Sequence, residues 1–131
     1  MHRLPATALL LTALCQSAAA ADSSGRFMAG GGVGGLLCPS FLNAMATARQ
    51  SGGLTTYAGA NVINPWIGYV LGFQTGYNAE ASGIYDIFKD IPNPNDVLYA
   101  IEPYCAQNPT FKFSTAVLAL SYKLKKQQLG Q

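Results

Sequence analysis

The sequence predicts a small all-α domain of four helices that is closed by one disulfide. Apolar residues recur at helical spacing in four segments, and Asn, Asp or Pro residues stand where three of these helices would begin. Two cysteines remain once an N-terminal leader is set aside. At 131 residues, the chain has the length of one domain.

The composition excludes several classes of protein. Half of the residues are hydrophobic, only 11% are charged, and the formal net charge is +2. A dedicated nucleic-acid binder would carry a clustered basic surface, so we expect no nucleic-acid partner. The hydrophobic fraction is also too high for a chain that is disordered because of its charge.

The first 21 residues have the three parts of a secretory signal peptide. Arg3 supplies a positive start, residues 4–14 are apolar, and the alanines at 19–21 suit a signal peptidase. The apolar stretch is too short to span a bilayer, so we expect cleavage and no stable membrane insertion. The protein is therefore predicted to be exported.

The cysteines that remain after cleavage indicate a structural disulfide. Cys38 and Cys105 are the only two, so an oxidising compartment would join them to each other. They lie 67 positions apart, whereas a redox-active pair is usually arranged as Cys-x-x-Cys.

The mature chain has little chemistry to offer a catalytic or metal site. It lacks histidine, which excludes a Ser-His-Asp triad, a Cys-His dyad and the commonest zinc ligands. Asp86 and Asp90, spaced i and i+4, are interpreted as two solvated acids near a loop. We therefore expect no enzyme, no metal site and no cofactor.

The chain divides into an arm, a helical domain and a short tail. Residues 22–35 are polar and then glycine-rich, as is typical of a flexible arm. The single helical domain is predicted over residues 36–127, and residues 128–131 form the tail. Helix one is expected from about Leu36 or Pro39 to Gln50, and helix four from about Ser114 to Gln127.

The middle of the domain holds two further helices between long connections. A loop over 51–64 precedes helix two, which is expected at Pro65–Tyr77 with Asn64 as its cap. After a connection over 78–95, helix three is expected from Val97 to about Ala106. Pro103 should kink or shorten that helix.

Helix two has two unusual faces, which we interpret together as a packing or partner face. Interior glycines in a helix cost about 1 kcal/mol each relative to alanine, so a stripe of them indicates close approach of another backbone. Packing within the chain is favoured over a homodimer contact. The aromatic face comprises Trp66, Tyr69, Phe73 and Tyr77, and the glycine stripe comprises Gly68, Gly72 and Gly76.

The second cysteine stands in a Tyr-Cys-x-x-Asn-Pro segment, residues 104–109, and a lysine-rich helix ends the chain. Together with the signal peptide, the cysteine that opens helix one and the aromatic helix at 66–78, this pattern resembles the HdeA/HdeB family of small periplasmic proteins. The resemblance covers about residues 36–127. It implies a four-helix orthogonal bundle in which Cys38–Cys105 ties helix one to helix three.

The resemblance also implies a function and a location. Such a protein would be a periplasmic acid-stress chaperone: a folded dimer at neutral pH that loosens in acid and binds unfolded clients through exposed apolar surface. The alternative is a periplasmic immunity protein, which would bind and neutralise one secreted effector.

Overall fold

The computed structural model describes residues 31–131, so the predicted signal peptide and residues 22–30 of the predicted arm lie outside the described part. Within that part the protein is all-helical with one disulfide, as the sequence predicts. A 3₁₀ turn at Gly32–Gly35 precedes four helices: α1 (Cys38–Gln50), α2 (Tyr57–Glu80), α3 (Pro94–Gln107) and α4 (Phe113–Gln128).

Helices α1 and α4 begin and end within about two residues of their predicted bounds. Helix α3 begins at Pro94, earlier than predicted, because the side chain of Asn93 caps it by accepting a hydrogen bond from the Asn95 backbone N–H at 2.9 Å. Pro103 lies inside α3 without ending it. This proline is exposed, so water can bind the backbone carbonyl that it leaves without a donor.

Helix α2 begins eight residues before its predicted start at Pro65. Its N-cap is Thr56, whose hydroxyl accepts a hydrogen bond from the Gly59 backbone N–H at 3.1 Å. Pro65 therefore lies inside the helix, where its exposed position limits the cost of the lost hydrogen bond. The loop predicted over 51–64 is consequently short, and Asn64 is a helical residue.

Three aromatic side chains from three helices form the centre of the core. Phe41 of α1, Trp66 of α2 and Phe113 of α4 have ring centroids 4.7–5.3 Å apart in tilted and edge-to-face arrangements. Phe41 and Phe113 are fully buried, and Trp66 is 5% exposed. Burying such side chains contributes roughly 2–3 kcal/mol each, so this junction is a main source of stability.

The disulfide closes one end of the bundle. Cys38 opens α1 and Cys105 stands near the end of α3, with their Cα atoms 4.9 Å apart and both side chains buried. Beside it, Cys38 donates its backbone N–H to the Phe111 carbonyl, and Phe113 donates to the Leu36 carbonyl, each at 2.8 Å. The starts of α1 and α4 and the end of α3 therefore meet at one point.

Reducing this disulfide should lower the free energy of unfolding by about 4 kcal/mol, because the link closes a loop of 67 positions in the unfolded chain. Urea unfolding of the Cys38→Ser/Cys105→Ser variant and of the oxidised protein would measure the difference. Equal midpoints and equal slopes would contradict a structural role for the bond.

Candidate functional site

The aromatic residues of α2 face inward and span the space to α4. The Tyr69 ring lies 5.7 Å from the Phe113 ring, and Tyr77 packs on Phe73 at 5.5 Å between centroids. Burial raises the pKa of the Tyr69 phenol, and the Ser114 hydroxyl of α4 partly offsets that shift. The aromatic half of the predicted face thus packs against the interior, with Trp66 buried and the other three side chains partly buried.

The glycine stripe has the opposite location. Gly68, Gly72 and Gly76 are exposed, and a Cβ atom placed on any of them would meet no atom of the described chain within 4 Å. The intramolecular packing that we favoured for the stripe is therefore absent from residues 31–131. A contact with another molecule stays a prediction.

The whole outer face of α2 lacks charge. From Tyr57 to Ala79 the helix contains no acidic or basic residue, and Glu80 is its first. The exposed side chains on this face are polar or small, with Tyr57 and Leu71 as its larger apolar members.

Close backbone approach occurs at a different glycine of the same helix. A Cβ on Gly59 would overlap the Gly53 carbonyl and lie 3.0 Å from the Ala48 carbonyl oxygen. Gly59 therefore lets the first turn of α2 rest on the end of α1. The sequence pattern did not single out Gly59, because the contact depends on how two helices meet.

The predicted arm also differs where the structure describes it. Gly34 is buried beneath the Tyr69 ring, which occupies the space that a Cβ would need. Residues 32–35 therefore pack onto the domain.

The segment that joins α2 to α3, residues 81–93, packs against Phe73 of the aromatic face. Its apolar side chains Ile84, Ile87 and Phe88 are buried, and the Phe88 ring lies 6.5 Å from that of Phe73. We call this segment the covering segment. It contains no helix or strand, so its position depends on contacts with its neighbours.

One carboxylate secures the covering segment to α2. The Oδ1 atom of Asp86 accepts hydrogen bonds from the Gln74 amide at 2.7 Å, the Asn78 amide at 3.2 Å and the Phe88 backbone N–H at 3.0 Å. Asn78 completes the link, because its Oδ1 accepts the Ile87 backbone N–H at 2.8 Å.

Helix α4 reaches the same segment from the other side. The Gln128 amide donates to the backbone carbonyls of Asp86 and Ile87 at 3.1 and 3.0 Å. We call Asp86 with Gln74, Asn78 and Gln128 the carboxylate–amide cluster. Our expectation that Asp86 is simply solvated was wrong; Gln74 and Asn78, one turn apart on α2, were the available signal.

The environment of Asp86 acts on its pKa in two directions. Partial burial raises it, but the hydrogen bonds from Gln74, Phe88 and Asn78 together outweigh burial and hold the pKa below its usual value. The ionised form of Asp86 is therefore the one that the fold stabilises.

A second carboxylate joins α1 to α3. The Arg49 guanidinium binds both oxygens of Glu102 at 2.6 and 2.7 Å and lies 5.6 Å from the Tyr99 ring centre. The geometry is bidentate, but the pair is partly exposed and contributes about 1 kcal/mol or less. Hydrogen bonding to Glu102 raises the pKa of Arg49, which stays charged.

The described residues contain neither a cluster of metal-ligating side chains nor a membrane span. No three of their His, Cys, Asp or Glu residues come close enough to share an ion. None of the four helices combines the length and apolar character needed to cross a bilayer.

Two glycine substitutions in α2 should have opposite effects. Gly68→Ala should raise the free energy of unfolding by about 1 kcal/mol, because an exposed interior helix position gains propensity without a clash. Gly59→Ala should lower it by about 3 kcal/mol, because the methyl group would overlap the Gly53 carbonyl. Urea unfolding of both variants tests the pair; a destabilised Gly68→Ala would show that something contacts the stripe.

Asp86→Asn should lower the free energy of unfolding by about 1–2 kcal/mol at pH 7, since hydrogen bonds to a charged acceptor are lost. Because the folded-state pKa is depressed, the wild-type advantage exists above the unfolded pKa of about 3.9 and disappears as pH falls through the folded value. Unfolding curves at pH 7, 5, 4 and 2.5 would measure it. Asp90→Asn is the matched control, because Asp90 is exposed. A constant difference between Asp86→Asn and wild type at every pH would contradict the argument.

Comparison with known proteins adds no relative to this description. No family model matches the chain, and neither the curated proteins nor the solved structures give a significant match.

Proposed function

We propose that this protein is an exported acid-stress chaperone, which binds unfolded clients in the periplasm through apolar surface that acid uncovers. The observation that carries the proposal is the carboxylate–amide cluster, in which one ionised carboxylate holds the covering segment over an aromatic surface. The resemblance to the HdeA/HdeB family supports the same function.

Acid acts directly on this cluster. When Asp86 is protonated, its oxygens accept weakly and its stabilising charge is gone, so the hydrogen bonds from Gln74 and Asn78 lose most of their strength. The segment has no regular structure of its own to keep it in place. Its release would expose Phe73, whose ring lies 6.5 Å from that of Phe88 in the segment.

The remaining charges act in the same direction. Strong acid removes negative charge from carboxylates as a class. Lysine and arginine stay charged, and the chain becomes net positive with no compensating acids. This repulsion favours an opened state over the compact one.

The disulfide sets a limit to the opening. It does not titrate in acid, and it keeps the start of α1 attached to the end of α3 while the covering segment moves. A client-binding state with part of the fold retained could therefore return to the closed state when the pH rises.

The test lowers the pH of the purified protein from 7 to 2 and follows oligomer size, binding of an apolar dye, and the solubility of a client that aggregates in acid. We expect dye binding and client protection to appear together as the pH falls. Asp86→Asn should shift both onsets to higher pH, because its covering segment has no carboxylate to hold it, while Asp90→Asn should follow the wild type.

A protein that stays compact and free of dye at pH 2, and leaves the client to precipitate, is not an acid-activated chaperone. Protection that appears at the same pH in Asp86→Asn and the wild type would leave chaperone function standing but remove the cluster as its trigger.

The second candidate is an immunity protein that binds one secreted effector. The exposed, uncharged outer face of α2 favours it, because three glycines there would let a partner helix approach closely. Replacing Gly68 and Gly72 by glutamine should then abolish binding of that effector at neutral pH. Neutralisation that survives the double substitution would exclude this face as the contact.

A further inference from the structure

A groove between α3 and α4 has no residue of the carboxylate–amide cluster in its lining, and the function proposed above does not depend on it. Its cavity volume is about 490 Å³, within the range of small-molecule sites. The lining comes from one face of each helix and from the end of the covering segment: Ile91, Ala100, Pro103, Tyr104, Gln107, Leu120, Lys123, Leu124 and Gln127. We propose that this groove binds a single-chain carboxylate amphiphile, a fatty acid of about ten carbons.

The floor of the groove is apolar. Leu120 and Leu124 of α4 are buried at 4% and 8% exposure, and Ile91 and Ala100 are half-buried beside them. On α3 and on α4 the lining residues recur at i, i+3, i+4 and i+7, so each helix presents a continuous strip. Two such strips that line one groove offer apolar surface to an alkyl chain.

The polar groups of the groove are donors that suit a carboxylate. Lys123 is its one charged lining residue among those described, and Gln127 stands one turn further along α4. No acidic residue is among the described residues that line the groove. Glu102 binds Arg49, and Asp86 belongs to the carboxylate–amide cluster. One ammonium group matches one monoanionic headgroup, whereas a phosphate dianion would bring charge that the lining does not neutralise.

The charge also decides against two other occupants. A second copy packed symmetrically on this groove would place the Lys123 side chains of the two copies close together. Lys125 and Lys126 lie nearby on the same helix, so the positive charges of the copies would repel each other. A neutral apolar peptide would provide no anion for the exposed Lys123 ammonium beside it. An amphiphile with a negative head satisfies both the lysine and the apolar floor.

The experiment titrates the oxidised full-length mature protein at pH 7 with decanoate below its micelle concentration and follows backbone amide NMR shifts. We expect saturable shifts confined to groove residues, with a dissociation constant on the order of 1 mM or tighter for a ligand of this size. Each methylene that the groove buries should tighten binding up to about fourfold along the series hexanoate, octanoate, decanoate.

Matched probes and variants separate the charge from the chain. Lys123→Gln should weaken decanoate binding at least fivefold, whereas Lys126→Gln, an exposed lysine that does not line the groove, should change it less than twofold. Acetate, which has the headgroup alone, should give no saturable shift. Decyltrimethylammonium, which has the chain with the opposite charge, should bind at least tenfold more weakly than decanoate.

Three results would overturn the proposal: no saturable shift with decanoate, shifts centred outside the groove, or equal binding of the anionic and cationic amphiphiles. Equal losses in Lys123→Gln and Lys126→Gln would also overturn it, since binding would then reflect overall charge. Because the titration is performed at pH 7 on the closed protein, failure here says nothing about acid-induced client binding.

Discussion

The covalent link between Cys38 and Cys105 is the constraint on which the rest of the structure depends. It fixes the start of α1 to the end of α3. Beside it, two backbone hydrogen bonds join residues around the start of α4 to residues around the start of α1. Phe113 follows immediately and enters the junction with Phe41 and Trp66. The disulfide and this backbone pairing therefore lie beside the main aromatic contacts of the core, to which α2 contributes Trp66.

The opposite end of α4 is held in another way. Gln128 lies about 22 Å from Phe113 along the 16-residue helix, and it meets the covering segment through hydrogen bonds. The molecule thus has one end closed by a covalent bond and one end held by hydrogen bonds, some of which the Asp86 carboxylate accepts. Under the proposed function, a chain with only 11% charged residues would respond to acid through Asp86, whose carboxylate accepts three of the hydrogen bonds that hold the covering segment.

Local patterns in the sequence predicted what local physics decides. The bounds of α1 and α4 follow from their apolar spacing and from the glycines and lysines that end them, and the disulfide was predicted from the two cysteines that lie outside the predicted leader. The start of α2 was missed because the Thr56 cap was overlooked beside the Asn64–Pro65 pattern, and because Gly59 rests against the Gly53 and Ala48 carbonyls, a contact that only the fold brings about. The role of Asp86 was missed for the same reason, since its partners come from α2 and from its own segment and are brought together only by the fold.

The glycine stripe was recognised as a feature, but its side of the helix was assigned wrongly. Helix α2 has aromatic residues on one face and glycines on another, and both kinds can bury surface. The large side chains took the interior, because burial of aromatic area stabilises more than close backbone contact. The spacing of the aromatic residues and of the glycines predicted that they occupy different faces of α2. Only the packing of the helices showed that the glycines lie on the outer face.

The position of Trp66 gives the protein a built-in optical reporter. It is the sole tryptophan of the chain, and its indole lies between rings contributed by α1 and α4. Its emission therefore reports on one place, the frame that the disulfide closes. The proposed release of the covering segment would leave that indole in its apolar surroundings, whereas separation of the helices would admit water to it and shift the emission to the red. Partial and complete opening would thus differ in the tryptophan emission maximum, which can be measured without a label.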